Sequence, residues 1–390
     1  MRVVIIGAGL GGVTAALALR RIGLETALFE RTPALREVGA GITLWSNALH
    51  ALQQIGADGP VREVGCVART SELRGARGKR MLLRTDVAKV ETRFSVPNLM
   101  LMLHRAELLD ALAKQLPTHA IQLGREVAEV TSDDHQAHVR LTTGEVVSAD
   151  LVIAADGLRS ISRQFVAPDV PLRSAGYFCW RGVCELRPDE LEVGYLGEWW
   201  GRGQRCGILS LPHSRAYWWA TKNGPMQQGD QRALALQAFS DWARPLPALI
   251  ERTREVLVGD IADRAPDANW RRGRVMLLGD AAHPTTPNLG QGACMAMEDA
   301  VTLSLALARS PHDVLAACDA TIATRAERTK EIVTMSRRMG DVGQWSNPLA
   351  CNLRDISFSG MPPSLFQREL VRFARHRCVA PVVAPHVTAR

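Results

Sequence analysis

The sequence predicts an α/β protein in which a parallel, dinucleotide-binding sheet is interrupted by an antiparallel sheet and followed by C-terminal helices. Three observations carry this. An apolar strand at 2–6 runs into glycines 7, 9 and 12; five of the nine tryptophans crowd into 175–222; and an apolar strand at 275–278 runs into an acid and a glycine-rich helix start.

The strand expected at 2–6 is apolar from Val3 to Ile6, as a strand buried on both faces is, and Gly7, Gly9 and Gly12 follow in GxGxxG spacing. Residues 13–21 read as a helix closed by Gly23, and 26–29 as a second strand that delivers Glu30. Strand, glycines, helix, strand and terminal acid form a dinucleotide-binding βαβ unit. The glycines let a pyrophosphate approach the helix start, and Glu30 accepts hydrogen bonds from a ribose. An acid there, with no basic replacement, fits an adenosine without a 2′-phosphate.

Residues 36–43 form a glycine-punctuated loop, and Ser46 reads as the N-cap of a helix through Leu49, Leu52 and Ile55. Short alternating segments over 61–94 suggest a departure into a second sheet. Residues 101–115 read as a helix with Arg105 near its start, and 127–141 as a β-meander. A buried strand at 149–154 ends in Asp156-Gly157.

The tryptophan-rich stretch 175–222 reads as an antiparallel sheet whose rings are mostly core, the remainder lining a pocket for a flat, largely apolar substrate. Helices are expected at 231–242 and 246–253, then a strand at 256–261 that returns the chain to the first domain. The strand at 275–278 ends at Gly279-Asp280, and a turn stiffened by Pro284 and Pro287 leads to a helix opened by Gly290 and Gly292. Unpaired N–H groups and the positive end of the helix dipole there suit an anionic or electron-accepting ligand. Gly7, Asp156 and Asp280 thus end three strands, and each should converge on one ligand at the carboxyl edge of a parallel sheet.

Long helices follow at 293–308 and 316–339. Residues 365–377 form a basic amphipathic helix with Phe366, Leu370 and Phe373 on one side, expected to dock onto the body rather than touch a membrane surface. The final dozen residues are expected to be disordered.

At 390 residues the chain can bury a large core in two or three domains, and 46% hydrophobic with 22% charged residues reads as soluble and globular. No apolar run has membrane-spanning length or a basic leader with a cleavage site, so a cytoplasmic address is expected. The eight cysteines show no CxxC and no framework, which reads as thiols in a reducing compartment; metal-ligand spacing is also absent. The net charge of +7 is mostly dispersed arginine. It speaks against nucleic acid and for an anionic cofactor or substrate.

In the order GxGxxG, Asp-Gly, and Gly-Asp followed by Pro-x-x-Gly-Gln-Gly, the three strand-end signatures together resemble the group A FAD-dependent aromatic hydroxylases, over roughly residues 1–340. The resemblance implies the p-hydroxybenzoate hydroxylase fold: a Rossmann-like FAD-binding domain of the GR2 type (1–70, 100–172 and 263–340), an inserted substrate domain (71–99 and 173–262), and a C-terminal helical segment and tail (341–390). It implies that Gly7, Gly9, Gly12, Glu30 and Arg31 hold the ADP half of FAD, with Thr43 and Val127 as further contacts. Arg105 would reach the pyrophosphate or ribityl chain, and Asp156 and Gly157 belong to the motif associated with both FAD and reduced nicotinamide. Asp280 would contact the ribityl hydroxyls, with Pro287, Gly290, Gln291 and Gly292 beside the flavin ring.

Cys179-Trp180-Arg181, the Trp200 to Arg205 stretch and Gly343-Gln344-Trp345 are similar to the alkylquinolone 3-hydroxylase branch and then to the urate hydroxylase branch, whose catalytic arginine aligns with Arg205. Cys179 stands where the urate branch has an asparagine, which points away from a purine. The resemblance implies hydroxylation of an electron-rich ring through a flavin C4a-hydroperoxide. Oxygen and NADH or NADPH would be consumed, the nicotinamide binding transiently because only one dinucleotide unit is present. Arg205 is the catalytic candidate, supporting the anionic substrate; Cys179, Trp180, Trp219 and Pro287 are the candidate substrate contacts. His283 is expected to fix the turn rather than act as a base, and Cys294 lacks a redox partner. The partners are a small aromatic or heteroaromatic substrate and oxygen, in a monomer or homodimer.

Overall fold

The computed structural model describes residues 1–35, 40–78 and 80–383. Its parallel sheet runs, edge to edge, Arg271–Arg272, Val275–Leu277, Leu151–Ala154, Arg2–Ile6, Glu25–Glu30 and Ile121–Leu123, with only Arg271–Arg272 antiparallel to its neighbour. The continuous apolar character of Val3 to Ile6 follows from cover on both faces. Val3 and Ile5 join the core formed with helices Leu10–Arg21 and Gly292–Arg309, whereas Val4 and Ile6 face the meander Val127–Ser132, Ala137–Leu141 and Val146–Ala149. Gly12 permits the tight seat of the first helix: a Cβ there would lie 1.9 Å from the Gly7 carbonyl oxygen.

A second sheet runs Leu257–Arg264, Leu172–Glu185, Arg215–Asn223, Gln204–Leu211, Tyr195–Trp200, Thr70–Gly75 and Met81–Asp86. It is antiparallel except where Tyr195–Trp200 meets Thr70–Gly75. Side-chain alternation divides its faces. Phe178, Trp180, Trp218 and Ile208 pack with Phe239, Leu246 and Ile250 of helices Gln231–Phe239 and Leu246–Arg252 on the outer face. Cys179, Arg205 and Thr221 form one cross-strand row of the other face, and Arg181, Gly207 and Trp219 the next.

Four local expectations are corrected. Residues 100–104 (Met-Leu-Met-Leu-His) form a strand between Gly41–Trp45 and Cys66–Val67, and the helix begins only at Arg105. A short apolar run has no period with which to separate a buried strand from a buried helix. Ser46 does not cap its helix but is its first residue, its hydroxyl donating to the Pro97 carbonyl at 3.2 Å. Within 61–94, Val87–Phe94 is a helix capped by Asp86, whose carboxylate accepts from Lys89 N. The strand Leu257–Arg264 does not rejoin the parallel sheet; it is itself the edge strand of the second sheet, paired with Leu172–Glu185.

Helices Gly292–Arg309 and Val314–Gly343 extend beyond the expected spans. Helix Pro363–Ala374 docks on the body: Val371 and Phe373 are buried, Phe373 beside Ile332 and Val333. The loop at 36–39 and the tail at 384–390 lie outside the described residues. No described helix is long and apolar enough to cross a membrane.

Candidate functional site

The strand ends lie flush. Gly7 N donates to Phe29 O (2.8 Å), Ala155 N to Ile6 O (2.8 Å) and Leu278 N to Ala154 O (2.9 Å), so the chain leaves three adjacent strands side by side at Gly7, Asp156 and Gly279. Gly7 has φ +95°, and a Cβ there would stand 2.6 Å from Ala155 O. Gly9 is the opposite case: its Cβ position has no atom within 4 Å. It precedes a helix start with no side-chain cap, which leaves open room before uncapped N–H donors.

Glu30 braces this turn. Its Oε2 accepts from Ala8 N at 2.9 Å and its Oε1 from Thr32 N and Oγ1, both at 2.9 Å. Arg31 beside it is exposed, and Val127 turns its side chain into the core with Phe29. Asp156 accepts from Ser162 N and Oγ through Oδ2, while its Oδ1 is buried with no hydrogen-bond partner. An unpartnered acceptor and an unfilled glycine cradle on one sheet edge fit a ligand rich in hydroxyls and phosphate, as FAD is.

Asp280 has its own surface open to solvent yet is otherwise ringed by protein. That burial pushes its carboxyl up, against the pull of His283 and Arg105. Thr43 lies on Gly41–Trp45, paired to Met102, and Arg105 N donates to Ala40 O at 2.9 Å, so both border the same end of the site. Pro287 and Gly290 are exposed, and Gly290 takes φ +62°. The Cβ position of Gly292 lies 3.7 Å from Asp280 Oδ1. Gln291 differs from its neighbours: its buried side chain accepts from Asn47 Nδ2 at 2.9 Å, so it anchors the loop inward.

A buried ion cluster holds this turn from behind. Asp299 Oδ2 pairs with His283 Nε2 at 2.6 Å and accepts from Gly279 N, while Arg325 bridges Asp299 (2.8 Å) and Glu298 (2.6 Å). His283 is therefore tied into structure, as its place in the turn suggested. Cys294 is buried, its thiol pushed up to about 12 by that burial.

Arg205 is 2% exposed and stands on the inner face of the second sheet. Its Nε donates to Gln344 Oε1 (3.2 Å), Nη1 to Glu198 Oε1 (3.3 Å) and Nη2 to Asn288 Oδ1 (2.5 Å). The guanidinium also faces the rings of Tyr177 and Trp219 at 5.8 and 5.6 Å. Cys179 shares this face; burial pushes its thiol up to about 11. Of the five tryptophans in 175–222, only Trp219 is not fully buried. Trp180 is corrected as a substrate contact: it points to the outer face, 0% exposed, and its Nε1 donates to Gln231. Neighbouring residues on a strand face opposite ways, and it is Cys179 that takes the side of Arg205.

Sequence reasoning missed Glu198, Tyr177 and the role of Asn288 and Gln344 around Arg205. For two of them a signal existed. Asn288 lies between Pro287 and Gly290, and Gln344 follows Gly343, whose Cβ position is 2.7 Å from Arg205 Cδ. Nothing in the sequence marks Glu198 or Tyr177.

A family model described as an FAD binding domain matches residues 1–313. The chain is 38% identical over 360 residues to the aurachin C monooxygenase/isomerase of Stigmatella aurantiaca, covering 91% of this chain and 93% of that one. It is 32% identical to the 2-heptyl-3-hydroxy-4(1H)-quinolone synthase of Pseudomonas aeruginosa, again over 91% and 93%. Among solved structures, HpxO of Klebsiella pneumoniae complexed with FAD and uric acid superposes with a TM-score of 0.88 at 28% identity, covering 96% of each chain.

Proposed function

Since the chain belongs to the FAD-binding-domain family, among its FAD-dependent aromatic monooxygenases, we propose that it hydroxylates an electron-rich heteroaromatic ring, of the 2-alkyl-4-quinolone 3-hydroxylase type, at the expense of NADH or NADPH. One observation carries this reading: Arg205 is buried on the sheet face that bears Cys179 and the accessible Trp219, and it is bonded to Asn288 in the loop after Asp280. FAD, when bound, supplies reduction by the nicotinamide and activation of oxygen.

The residues divide the remaining work. Gly7, Gly9, Gly12 and Glu30 receive the ADP half, with Arg31, Thr43, Val127, Arg105, Asp156 and Gly157 as further contacts. Asp280 and the loop from Pro287 to Gly292 receive the ribityl and ring end, where uncapped N–H donors of the helix start favour negative charge. Trp219 and Pro287 bound the substrate; Cys179 shapes its floor without an amide to hold a purine. Arg205 keeps the substrate in its anionic, more nucleophilic form, and the apolar wall keeps water out. In this reading 1–70, 100–172 and 263–340 form the FAD-binding domain, 71–99 and 173–262 the substrate domain, and 341–390 a closing segment. The setting is the cytoplasm, consistent with eight cysteines that form no disulfide.

The test incubates the purified flavoprotein with NADH or NADPH, oxygen and a panel of quinolones, phenols and urate, following reductant oxidation and product mass. A product heavier by one oxygen atom from a quinolone is expected. The same gain from urate alone moves the assignment to the purine branch, and stimulated oxidation with no oxygenated product makes the protein a reductase.

A further inference from the structure

Glu198 is a carboxylate that no sequence motif accounts for, standing on the face of the sheet that carries Arg205. It lies on Tyr195–Trp200 opposite Gly207, one cross-strand pair away from Trp200 and Arg205. One oxygen does all its hydrogen bonding. Oε1 accepts from Trp200 Nε1 at 2.6 Å and from Arg205 Nη1 at 3.3 Å, while Oε2 takes no hydrogen bond from the described residues. The side chain keeps 27% of its surface exposed, against 2% for Arg205.

The charge balance around Arg205 gives this arrangement its meaning. Before substrate arrives, Glu198 is the one carboxylate among the described residues that pairs with the buried guanidinium, because Gln344, Asn288, Tyr177 and Trp219 offer only dipoles and ring faces. An anionic substrate brought to Arg205 would place two negative charges beside one positive charge in a partly dehydrated site. Two like charges there are costly, and one of them must become neutral.

Resting on the hydroxylase reading, we propose that Glu198 takes up the proton that the substrate loses, so that the Arg205–Glu198 ion pair is exchanged for an Arg205–substrate pair. The O–H or N–H bond of the ring breaks with its electron pair staying on the ring heteroatom, and the proton ends on Oε2 of Glu198. Net charge is conserved and no co-reactant is needed. The substrate class that fits is a ring with an ionisable N–H or O–H conjugated to the carbon to be hydroxylated, un-ionised in bulk water near neutrality.

The groups around Glu198 agree with such a role. Burial pushes its carboxyl up, toward accepting a proton, and only Arg205 opposes this by charge, helped by the hydrogen bonds from Trp200 and Arg205. The thiol of Cys206 on the neighbouring strand is driven well above its ordinary value by burial and by Glu198, so it does not compete as a thiolate. Arg354, of helix Pro348–Ser359, stacks on the Trp200 ring at 5.2 Å, and its charge is already engaged by Asp355.

The experiment uses the FAD-loaded protein and 4-nitrophenol, whose neutral and ionised forms differ in colour, at about pH 6, where the probe is mostly un-ionised in bulk. Binding is followed by difference absorbance and by calorimetry in two buffers of different ionisation heat, which counts protons exchanged with solvent. Wild type is expected to bind the probe as phenolate with about zero net protons released, and Glu198→Gln to release about one per probe bound. Glu198→Asp should restore internal uptake in part, which a merely structural role would not require. A protonated-carboxyl infrared band that appears when wild type binds the probe, and is missing in Glu198→Gln, supports the same assignment. If the Gln variant fails to fold, the proton count and infrared band of wild type decide alone. Wild type that fails to bind the probe, binds it un-ionised, or releases about one proton overturns the proposal. The oxygenation panel is read separately, so a protein that oxygenates a ring while releasing the proton to solvent loses this inference and keeps its function.

Discussion

Arg205 Nη2 lies 2.5 Å from Asn288 Oδ1, a contact that ties the antiparallel sheet to the loop after Asp280 across 83 residues of sequence. Through it, the side chain assigned to the substrate is positioned by the same loop that is assigned to the flavin. Tyr177 shares that acceptor, its hydroxyl donating to Asn288 Oδ1 at 3.2 Å.

Arg205→Met should therefore retain FAD while losing coupled hydroxylation: reductant is oxidised but product yield falls by about a hundredfold or more. Arg205→Lys should rescue little of this, because one ammonium cannot reproduce three guanidinium contacts directed at Gln344, Glu198 and Asn288. Product mass against reductant consumed measures the coupling, and coupled turnover at the wild-type rate removes Arg205 from the mechanism.

Two glycines of one motif should behave differently. Gly12→Ala puts a Cβ 1.9 Å from Gly7 O, so folding itself should suffer. Gly9→Ala meets no protein atom within 4 Å, so its melting temperature without flavin should hold while FAD affinity falls by about tenfold or more, ~1.4 kcal/mol. Flavin content after gel filtration and thermal melts of the stripped proteins separate the two effects; unchanged flavin affinity in Gly9→Ala contradicts the assigned pyrophosphate seat.

The two tryptophans on either face of the second sheet should also separate. Trp180→Ala leaves a hole in the core formed with Phe178 and Phe239 and should cost about 3–5 kcal/mol of stability. Trp219→Ala should melt nearly as wild type and instead lower kcat/KM. Denaturant titration and steady-state kinetics on the same two variants check this, and a reversed pattern would return Trp180 to the substrate site.

Acid should loosen the C-terminal segment in two steps. His376 accepts from Arg325 at 3.4 Å, and burial pushes its pKa from 6.5 down to about 4. The unfolded chain thus binds a proton that the folded chain refuses, and stability falls as pH drops from about 6.5 to about 4. Burial alone would raise Glu298, but Arg325 and Arg328 outweigh it and hold it at about 2, so a second loss runs from 4.5 toward about 2. Each step amounts to roughly 1–3 kcal/mol. Denaturant midpoints across pH should show both, and His376→Gln should flatten the upper step alone.

Much of the fold was legible in the sequence because its signals are local. A strand followed by Gly7, Gly9 and Gly12, and another by Gly279 and Asp280, are short-range demands of backbone geometry that any reader of the chain can recognise. The three strand-end sites followed from the same reasoning, and hydrogen bonds from Gly7, Ala155 and Leu278 to neighbouring strands bring them together. Local period failed where it carries no information. The apolar run of residues 100–104 reads equally well as helix or strand, and Cys179-Trp180 does not announce which residue shares the face of Arg205.

By itself, then, the sequence determined the parallel sheet, the glycine turns and the presence of Arg205 in an aromatic second sheet. Tertiary structure alone decided which face each aromatic takes and which residues gather around Arg205. Glu198 comes from a neighbouring strand, Asn288 from a loop and Gln344 from the end of a long helix. Contacts between segments so far apart depend on how two sheets and a helix pack, and packing is cooperative over the whole chain. No local pattern encodes it.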